Sequence, residues 1–496
     1  MSNTNQSSYR QIMKATSIFG GVQFYQIVLT IVRTKIVAVL LGTAGMGISG
    51  LFTSATTLIT GITSLGLNVS AVKNVSEANA TGDMNRVALV TSALRRLVWI
   101  TGLLGTGVVI VLSPWLSEIT FGNRDYTLGF VWLSVTLLFS TLSNGQYVLL
   151  QGLRKVAYLA KANVAGATIG LIVSLPVYYY YGVDGIVPAL VLTSLSAMML
   201  AYYFGNKVKV APVPLDTPTL FKEGKGMVKM GVLLSLSGVI GLATSYVTRI
   251  YISNTGGVED VGLFNAGFAI VNTYVGMVFT AMSTDYYPRL SAVAHDDGQA
   301  RSLLNHQAEM TLLILGPILI LFLIFIKFAI VVLYSTQFLA SLGMVQWIVM
   351  AIFLKAVAWA MGFMLMAKGA TKVFFYNELI ANVYTLAMNI AGYYLFGLEG
   401  LGISFLVAYV VAVVQNFLVI RNRYGFAFSP ECYRVFAVHF LIAALSFVLA
   451  KNIEGNLLYV VSAPLLILSV VYSYYEINRR IDLKGIVNKL VFKRNG

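Results

Sequence analysis

The sequence predicts an all-α integral membrane protein: two like-oriented six-helix repeats around a central cavity, followed by two C-terminal helices. Composition is the first observation behind that reading. The chain has 496 residues, of which 58% are hydrophobic and only 11% charged, and its mean hydropathy is +0.80. A soluble protein carries about 25% charged residues. The second observation is an internal repeat at a near-constant offset of 215, over residues 10–206 and 225–421. Tyr181-Gly182-Val183-Asp184-Gly185-Ile186 returns as Phe396-Gly397-Leu398-Glu399-Gly400-Leu401, and Gly47, Ser76 and Arg86 return as Gly262, Ser291 and Arg301. Gly152-Leu153-Arg154-Lys155-Val156 matches Gly369-Ala370-Thr371-Lys372-Val373 at offset 217, which implies a two-residue indel. The third is charge placement. Two repeats of like orientation form a transporter plan, with substrate bound where the repeats meet.

A helix crossing the hydrocarbon core needs about 20 apolar residues. Fourteen such spans are expected near 14–41, 46–72, 96–116, 127–152, 156–180, 184–205, 229–254, 261–288, 303–330, 338–366, 373–396, 400–420, 435–450 and 456–476. The first is too long for a signal h-region, and no small-x-small cleavage site follows it, so it reads as a retained helix. The even-numbered connections, both termini and the span ends that adjoin them hold 27 of the 34 Lys/Arg; the odd-numbered connections and their adjoining span ends hold only Arg124, Lys327 and Lys451. That asymmetry places both termini in the cytoplasm. The domains expected are a bundle at 1–206, a cytoplasmic linker at 207–228, a second bundle at 229–424, and two extra helices with a basic tail at 425–496. The tail Arg479–Arg494 is expected along the anionic inner leaflet. The net charge of +15 is thus mostly topological and does not point to nucleic acid.

Several spans carry polar residues at helical spacing, so that they share a face. These are Gln23, Gln26, Thr30 and Arg33; Ser49, Thr53, Thr57, Thr60 and Ser64; Ser140, Asn144, Tyr147 and Gln151; Ser237, Thr244 and Thr248 beside Arg249; Asn265, Asn272 and Ser283; and Glu378, Asn382, Thr385 and Asn389. Hydroxyl stripes also serve close helix packing, and for the second span the two readings stand level. Large amides, Arg and Glu need protein or water around them, so together the stripes predict a wet cavity. A Lys or Arg at the bilayer centre costs on the order of 3 kcal/mol or more and usually marks a substrate or ion path. Arg33 and Arg249 occupy corresponding places in the two repeats, one residue out of register, and Lys355 lies near the middle of the tenth span. The opposing acids are Asp285, Glu309 and Glu378, candidates for coupling or gating, with a cap or ion pair the better reading for Asp285. A positive, desolvated site suits a phosphate, because the guanidinium fork binds two oxygens. Lys35 points away from the Arg33 face, and snorkelling suits it as well as substrate contact does.

No phosphate-binding loop G-x-x-x-x-G-K-[ST] is present, so the chain does not draw on ATP itself; an ion gradient is compatible with the sequence, which does not name a coupling ion. There is no H-E-x-x-H or G-x-S-x-G. Cys432 stands alone, and His295, His306 and His439 lack ligand spacing, so no metal or other cofactor is expected. A membrane enzyme such as a polysaccharide polymerase is the weaker class, and a major-facilitator sugar transporter is approached only by Gly82-Asp83-x-x-Arg86.

A family resemblance rests on Lys35-Ile36-Val37-Ala38 with Gly42-x-x-Gly45-x-Gly47, Val72-Lys73-Asn74-Val75, Phe121-Gly122-Asn123-x-Asp125-Tyr126 and Gly152-x-Arg154. In the second half it rests on Val261-Gly262, Pro288-x-Leu290-Ser291, Lys355, Ala367-Lys368 and Glu378. In order and spacing these resemble the Wzx-type O-antigen or enterobacterial-common-antigen flippases of the multidrug/oligosaccharidyl-lipid/polysaccharide exporter superfamily. The resemblance implies alternating-access export of undecaprenyl-pyrophosphate-linked oligosaccharide from the inner to the outer leaflet of the bacterial cytoplasmic membrane. Lys35, Lys73 and Lys355 gain weight as functional positions by the same route. A polymerase and a chain-length regulator are implied as pathway partners. With it, the expected substrate set is Arg33, Lys35, Lys73, Arg249 and Lys355 for the pyrophosphate, and Gln23, Gln26, Asn144, Tyr147, Asn382 and Asn389 for the glycan. Two departures stand out: Asn272 replaces an acid found in some relatives, and the last two helices exceed a twelve-helix pattern, as in a related fourteen-helix lipid-II flippase type. The rival within the superfamily is a multidrug exporter, whose site should be apolar with acids.

Overall fold

The structure, a computed structural model, describes residues 3–208, 210 and 212–481, with side chains described except at 3–20, 272–274 and 481. The basic tail beyond Ile481 and the Asn272 side chain therefore lie outside the described residues. Among the described residues there are thirteen α-helices, two short 3₁₀ turns and no strand. The helices are α1 (Asn3–Thr63), α2 (Leu67–Ala80), α3 (Met84–Phe121), α4 (Thr127–Gly152), α5 (Val156–Tyr181), α6 (Ile186–Asn206), α7 (Thr217–Gly256), α8 (Val258–Ala292), α9 (Asp297–Leu333), α10 (Leu342–Ala367), α11 (Thr371–Tyr424), α12 (Pro430–Asn452) and α13 (Asn456–Ile481).

Among the described residues ten helical segments are long and apolar enough to cross a membrane, and the bent α8 makes an eleventh. Three of the ten, of 43, 51 and 54 residues, far exceed the 20 or so that a single pass needs. Each breaks at a glycine of positive φ: Gly42 (φ 65°), Gly182 (φ 56°) and Gly397 (φ 58°). Glycine is needed there because L-side chains rarely adopt that backbone. Dividing these three and including α8 gives the fourteen passes expected. The two limbs of α11 run back along each other: Asn377 Nδ2 donates to Asn416 Oδ1 at 2.7 Å, and Ser404 Oγ donates to Asn389 Oδ1 at 2.8 Å. α5 and α6 form the equivalent hairpin, with Gly166 packed on Ala197 and Gly170 on Thr193.

The repeat extends to backbone conformation. The helix breaks at Gly42 and Gly257, and at Gly182 and Gly397, are spaced by the same offset. So are the left-handed residues Arg154 (φ 54°) and Gly369 (φ 67°). The hydrogen bonds from the NH groups of Leu153, Arg154 and Lys155 to Leu149, Gln151 and Leu150 recur as those of Lys368, Gly369 and Ala370 to Met364, Met366 and Leu365. The turn is therefore conserved in register at offset 215, and the expected indel is absent. Residue identity misaligned it because the first copy places an arginine where the second uses glycine.

Two further boundaries differ from expectation. The second span is not one helix over 46–72: it breaks at Ser64-Leu65-Gly66, with Leu65 and Gly66 both at positive φ, and α2 then carries on as a separate helix. α7 starts at Thr217, inside the expected linker, with Asp216 at its N-cap and Pro218 in its first turn, where a missing N–H costs nothing.

The chain packs as two compact units that divide at Gly262/Leu263. In the first, α7 packs on α1, α2 and α3, so the helix that opens the second repeat joins the first unit. Glu223 of α7 accepts two hydrogen bonds from the Arg86 guanidinium, at 2.6 and 2.8 Å. Gly231 approaches the Gly66 backbone too closely for a Cβ on either. The segment before α7 is held by Arg96, which donates to Leu215 O, and by Ser92 Oγ, which accepts from Val213 N. Phe52 centres an aromatic cluster with Phe121, Tyr126 and Phe130. In the second unit α12 and α13 pack on α9. Buried His439 of α12 sits against Gly316, where any Cβ would enter the ring, and its Nε2 lies 2.9 Å from Ser473 Oγ of α13.

Candidate functional site

A cavity of about 460 Å³ lies within the second unit, between α10 and the two limbs of α11. Its lining follows helical spacing on all three: 355, 358, 359, 362, 363 and 366; 374, 377, 378, 381, 382, 384 and 385; and 405, 408, 409, 412, 415 and 416. Space exists because the inward positions are small, with Ala358, Gly362, Ala381, Ala408 and Ala412 facing one another. The ammonium of Lys355 lies 5.7 Å from the Phe279 ring and 5.9 Å from the Tyr409 ring. Among the described residues no carboxylate is within ion-pair distance of it. Electron-rich ring faces offset part of the cost of holding that charge away from water.

An amide network forms one wall. Gln415 Nε2 donates to the carbonyl and side-chain oxygens of Asn377 at 3.0 and 2.8 Å, and Asn416 Nδ2 donates to Ala358 O at 3.2 Å. The Oε1 of Gln415 and the hydroxyl of Tyr384 are buried without a hydrogen-bond partner among the described residues. Buried polar atoms are normally satisfied, so these two are available to a guest. Trp359, Tyr384, Phe405 and Tyr409 add aromatic faces.

Of the expected residues, Lys355, Glu378 and Asn382 come together here. Asn382 spends one amide hydrogen on Glu378 O at 2.9 Å. Asn389 continues the same stripe two turns beyond Asn382 but is buried against Ser404, where it ties the hairpin. Asp285 forms an exposed pair with Arg289 at 3.0 Å. Glu309 is buried, accepts from Ser429 Oγ at 2.7 Å and pairs with Arg480 at 3.0 Å, so it fastens α9 to α12 and α13.

The first-unit residues line neither of the pockets between the helices of that unit. Arg33 and Lys35 are half-buried on the first limb of α1, where Gln23 is exposed and Gln26 half-buried. Arg249 donates to Ser245 O at 2.9 Å and also meets the Ser245 hydroxyl. Asn144 and Tyr147 are half-buried on α4, with the Tyr147 hydroxyl directed toward Gly166. Lys73 is exposed on α2 and lies 3.6 Å from Glu77.

A family model described as polysaccharide biosynthesis protein matches residues 36–343. The chain belongs to that family. It is 24% identical to the Lipid III flippase of Escherichia coli (strain K12) over 388 residues, covering 76% of this chain and 90% of that one. Its fold matches that of the lipid II flippase MurJ in an inward closed conformation at TM-score 0.68 and 11% identity, over 93% of this chain and 98% of that chain. It also matches an inward-facing multidrug resistance MATE family transporter of the MOP superfamily at TM-score 0.65 and 16% identity, over 82% and 94%. This member of the polysaccharide biosynthesis family is thus a multi-pass membrane protein with a transporter fold.

Sequence reasoning missed Asn377, Gln415 and Asn416. Asn377 sits one residue from Glu378 and belongs to the wall, while Gln415 and Asn416 end a span read as apolar. Their signal was the run Phe405, Ala408, Tyr409, Ala412, Gln415 and Asn416, which shares one helical face.

Proposed function

We propose that the protein flips an undecaprenyl-pyrophosphate-linked oligosaccharide of the O-antigen type from the inner to the outer leaflet of the cytoplasmic membrane, by alternating access driven by an ion gradient. The observation that carries this reading is the second-unit cavity, which joins an ammonium without a carboxylate partner to amide and aromatic walls. Lys355 is a point charge able to take a phosphate oxygen, and its three donors adapt to a moving headgroup. Asn377, Asn382, Gln415 and Asn416 offer both donors and acceptors, which sugar hydroxyls need, while Trp359 and Tyr409 offer flat faces for the C–H side of a sugar ring. Glu378 faces the same space as the group whose charge state an ion gradient would change. In the first unit, Arg33, Lys35 and Arg249 are the candidates for phosphate contact. The Escherichia coli relative is named for a lipid-linked substrate, which supports the substrate class. Both termini lie in the cytoplasm on the positive-inside distribution.

A multidrug exporter shares the fold, but a lysine at the end of the cavity opposes cationic drugs. The test is the fate of the lipid-linked oligosaccharide in a strain lacking this gene and complemented with wild type or Lys355→Ala. Build-up on the cytoplasmic face, cleared by wild type and not by the variant, supports the proposal. Normal distribution between leaflets without the gene rejects it.

A further inference from the structure

The repeat allows one surface to be compared with its own copy. In the second unit the Trp347 indole donates to Glu399 Oε1 at 2.7 Å, and Lys451 of α12 pairs with the same carboxylate. Phe447, one turn earlier on α12, packs on Trp347 with ring centroids 4.6 Å apart. The Lys451 ammonium lies 5.2 Å from that indole. The C-terminal end of α12 thus supplies an aromatic ring and, four residues on, a cation to a Trp–carboxylate pair. The Gln346 side chain beneath it is only 3% exposed.

At offset 215 the first unit carries Trp132 and Asp184, the same chemistry at the same two places. Trp132 is 58% exposed, and among the described residues no cation pairs with Asp184 or with its neighbour Asp125. Beside them, between α1, α4 and α6, runs a groove of about 620 Å³ with Phe52 and Val187 in its walls and the two carboxylates at its rim. The contrast reaches the whole helix: 72% of the most apolar window around α10 is buried, against 44% for α4.

We propose that this groove receives the end of a membrane-spanning helix from a partner protein, bearing an aromatic side chain one turn before a lysine or arginine. The helix does for the first unit what α12 does for the second. Charge complementarity selects this occupant. A hydrocarbon chain fills the apolar walls but leaves two carboxylates beside an indole without a counter-ion, and a phosphate headgroup is repelled by them. A cation held between a carboxylate and an indole face satisfies both. A second copy of this chain is disfavoured because its α12 is already engaged within its own second unit. The groove belongs to the first unit and carries two carboxylates without a lysine or arginine in its lining, whereas the cavity around Lys355 belongs to the second.

The test uses the full-length protein in lipid nanodiscs and, as probe, a fluorescent peptide of this chain's residues 430–455. The expected result is saturable binding that falls at least tenfold in Asp184→Lys and in Trp132→Ala. Binding to Asp184→Lys should recover with a peptide carrying Lys451→Glu. Asp184 is exposed and unpaired, so Asp184→Lys should keep the wild-type melting temperature, and Asp184→Asn serves as the milder variant if it does not. Binding indifferent to residue 184 overturns the proposal. So does binding lost only in Glu399→Lys, which would mean exchange with the resident α12. Asp184-dependent retention of phosphatidylethanolamine without peptide binding overturns it in favour of a lipid, and Asp184-dependent self-association overturns it in favour of a second copy.

Discussion

Gly47 and Gly262 cross face to face, each at the point where a Cβ would enter the other segment's backbone: Val258 O for Gly47 and Thr43 O for Gly262. Both the glycines and the carbonyls they meet are related by the repeat offset of 215. The crossing is therefore a local two-fold built from two copies of one motif, and only hydrogen fits on either side. Close helix approach through small residues is a main source of packing energy where lipid is as apolar as the side chains.

Gly47→Ala or Gly262→Ala should destabilise the protein by about 3 kcal/mol or more, since backbone rather than a flexible side chain must yield. Gly238→Ala on α7, where a Cβ meets nothing within 4 Å, should be neutral or gain up to about 1 kcal/mol from helix propensity. Melting temperatures in detergent separate the two classes.

Arg154 and Gly369 share the left-handed turn position, and only the second has a residue suited to it. Gly369→Ala should cost about 1–2 kcal/mol from backbone strain alone, because the space around it is open. Arg154→Gly should stabilise, by less than that amount because the unfolded chain also gains freedom. Opposite shifts in melting temperature, the rise for Arg154→Gly smaller than the fall for Gly369→Ala, are the outcome to look for.

Lys355→Met should lower oligosaccharide export at least tenfold in the complemented strain while leaving melting unchanged or slightly raised. It orphans no carboxylate, and it removes a charge that is costly to hold in the membrane. Asn389→Ala should show the reverse pattern: about 1 kcal/mol of lost stability from the Ser404 hydrogen bond, with export per folded molecule retained.

Glu309→Ala should cost about 3 kcal/mol, the low end for breaking a buried pair, because Arg480 keeps its contact with Glu476. Glu309→Leu combined with Arg480→Met and Glu476→Gln, which leaves no buried carboxylate without Arg480, should recover most of that loss. Failure of the triple variant to recover in a thermal melt would show that the cluster does more than fasten α13 to α9.

Much of the site was readable before any coordinates. Lys355, Glu378 and Asn382 were picked from intramembrane charge and helical spacing, and all three line one cavity. The same stripe carries on to Asn389, which lies outside the cavity lining, because periodicity says which face a residue shares and not where along the helix a neighbour closes over it. Hairpin pairing closes over Asn389 through Ser404, and at the other end brings Asn377 against Gln415 and Asn416. Glu309 read as a free intramembrane acid because its partners, Arg480 and Ser429, lie far along the chain.

Composition, hydropathy and the 215-residue repeat by themselves determined that this chain crosses a membrane many times, in two like halves. Burying about 20 apolar residues per pass leaves no other economical fold. Where the passes break was also local, set by Gly42, Gly182 and Gly397. Tertiary structure alone decided which polar side chains meet. It spent Asn389 and Glu309 on packing, opened a cavity where Ala358, Gly362, Ala408 and Ala412 converge, and covered Trp347 with α12 while leaving Trp132 bare. These are contacts between distant segments, and a side chain's role there depends on the volume and charge of its neighbours rather than on its own helix.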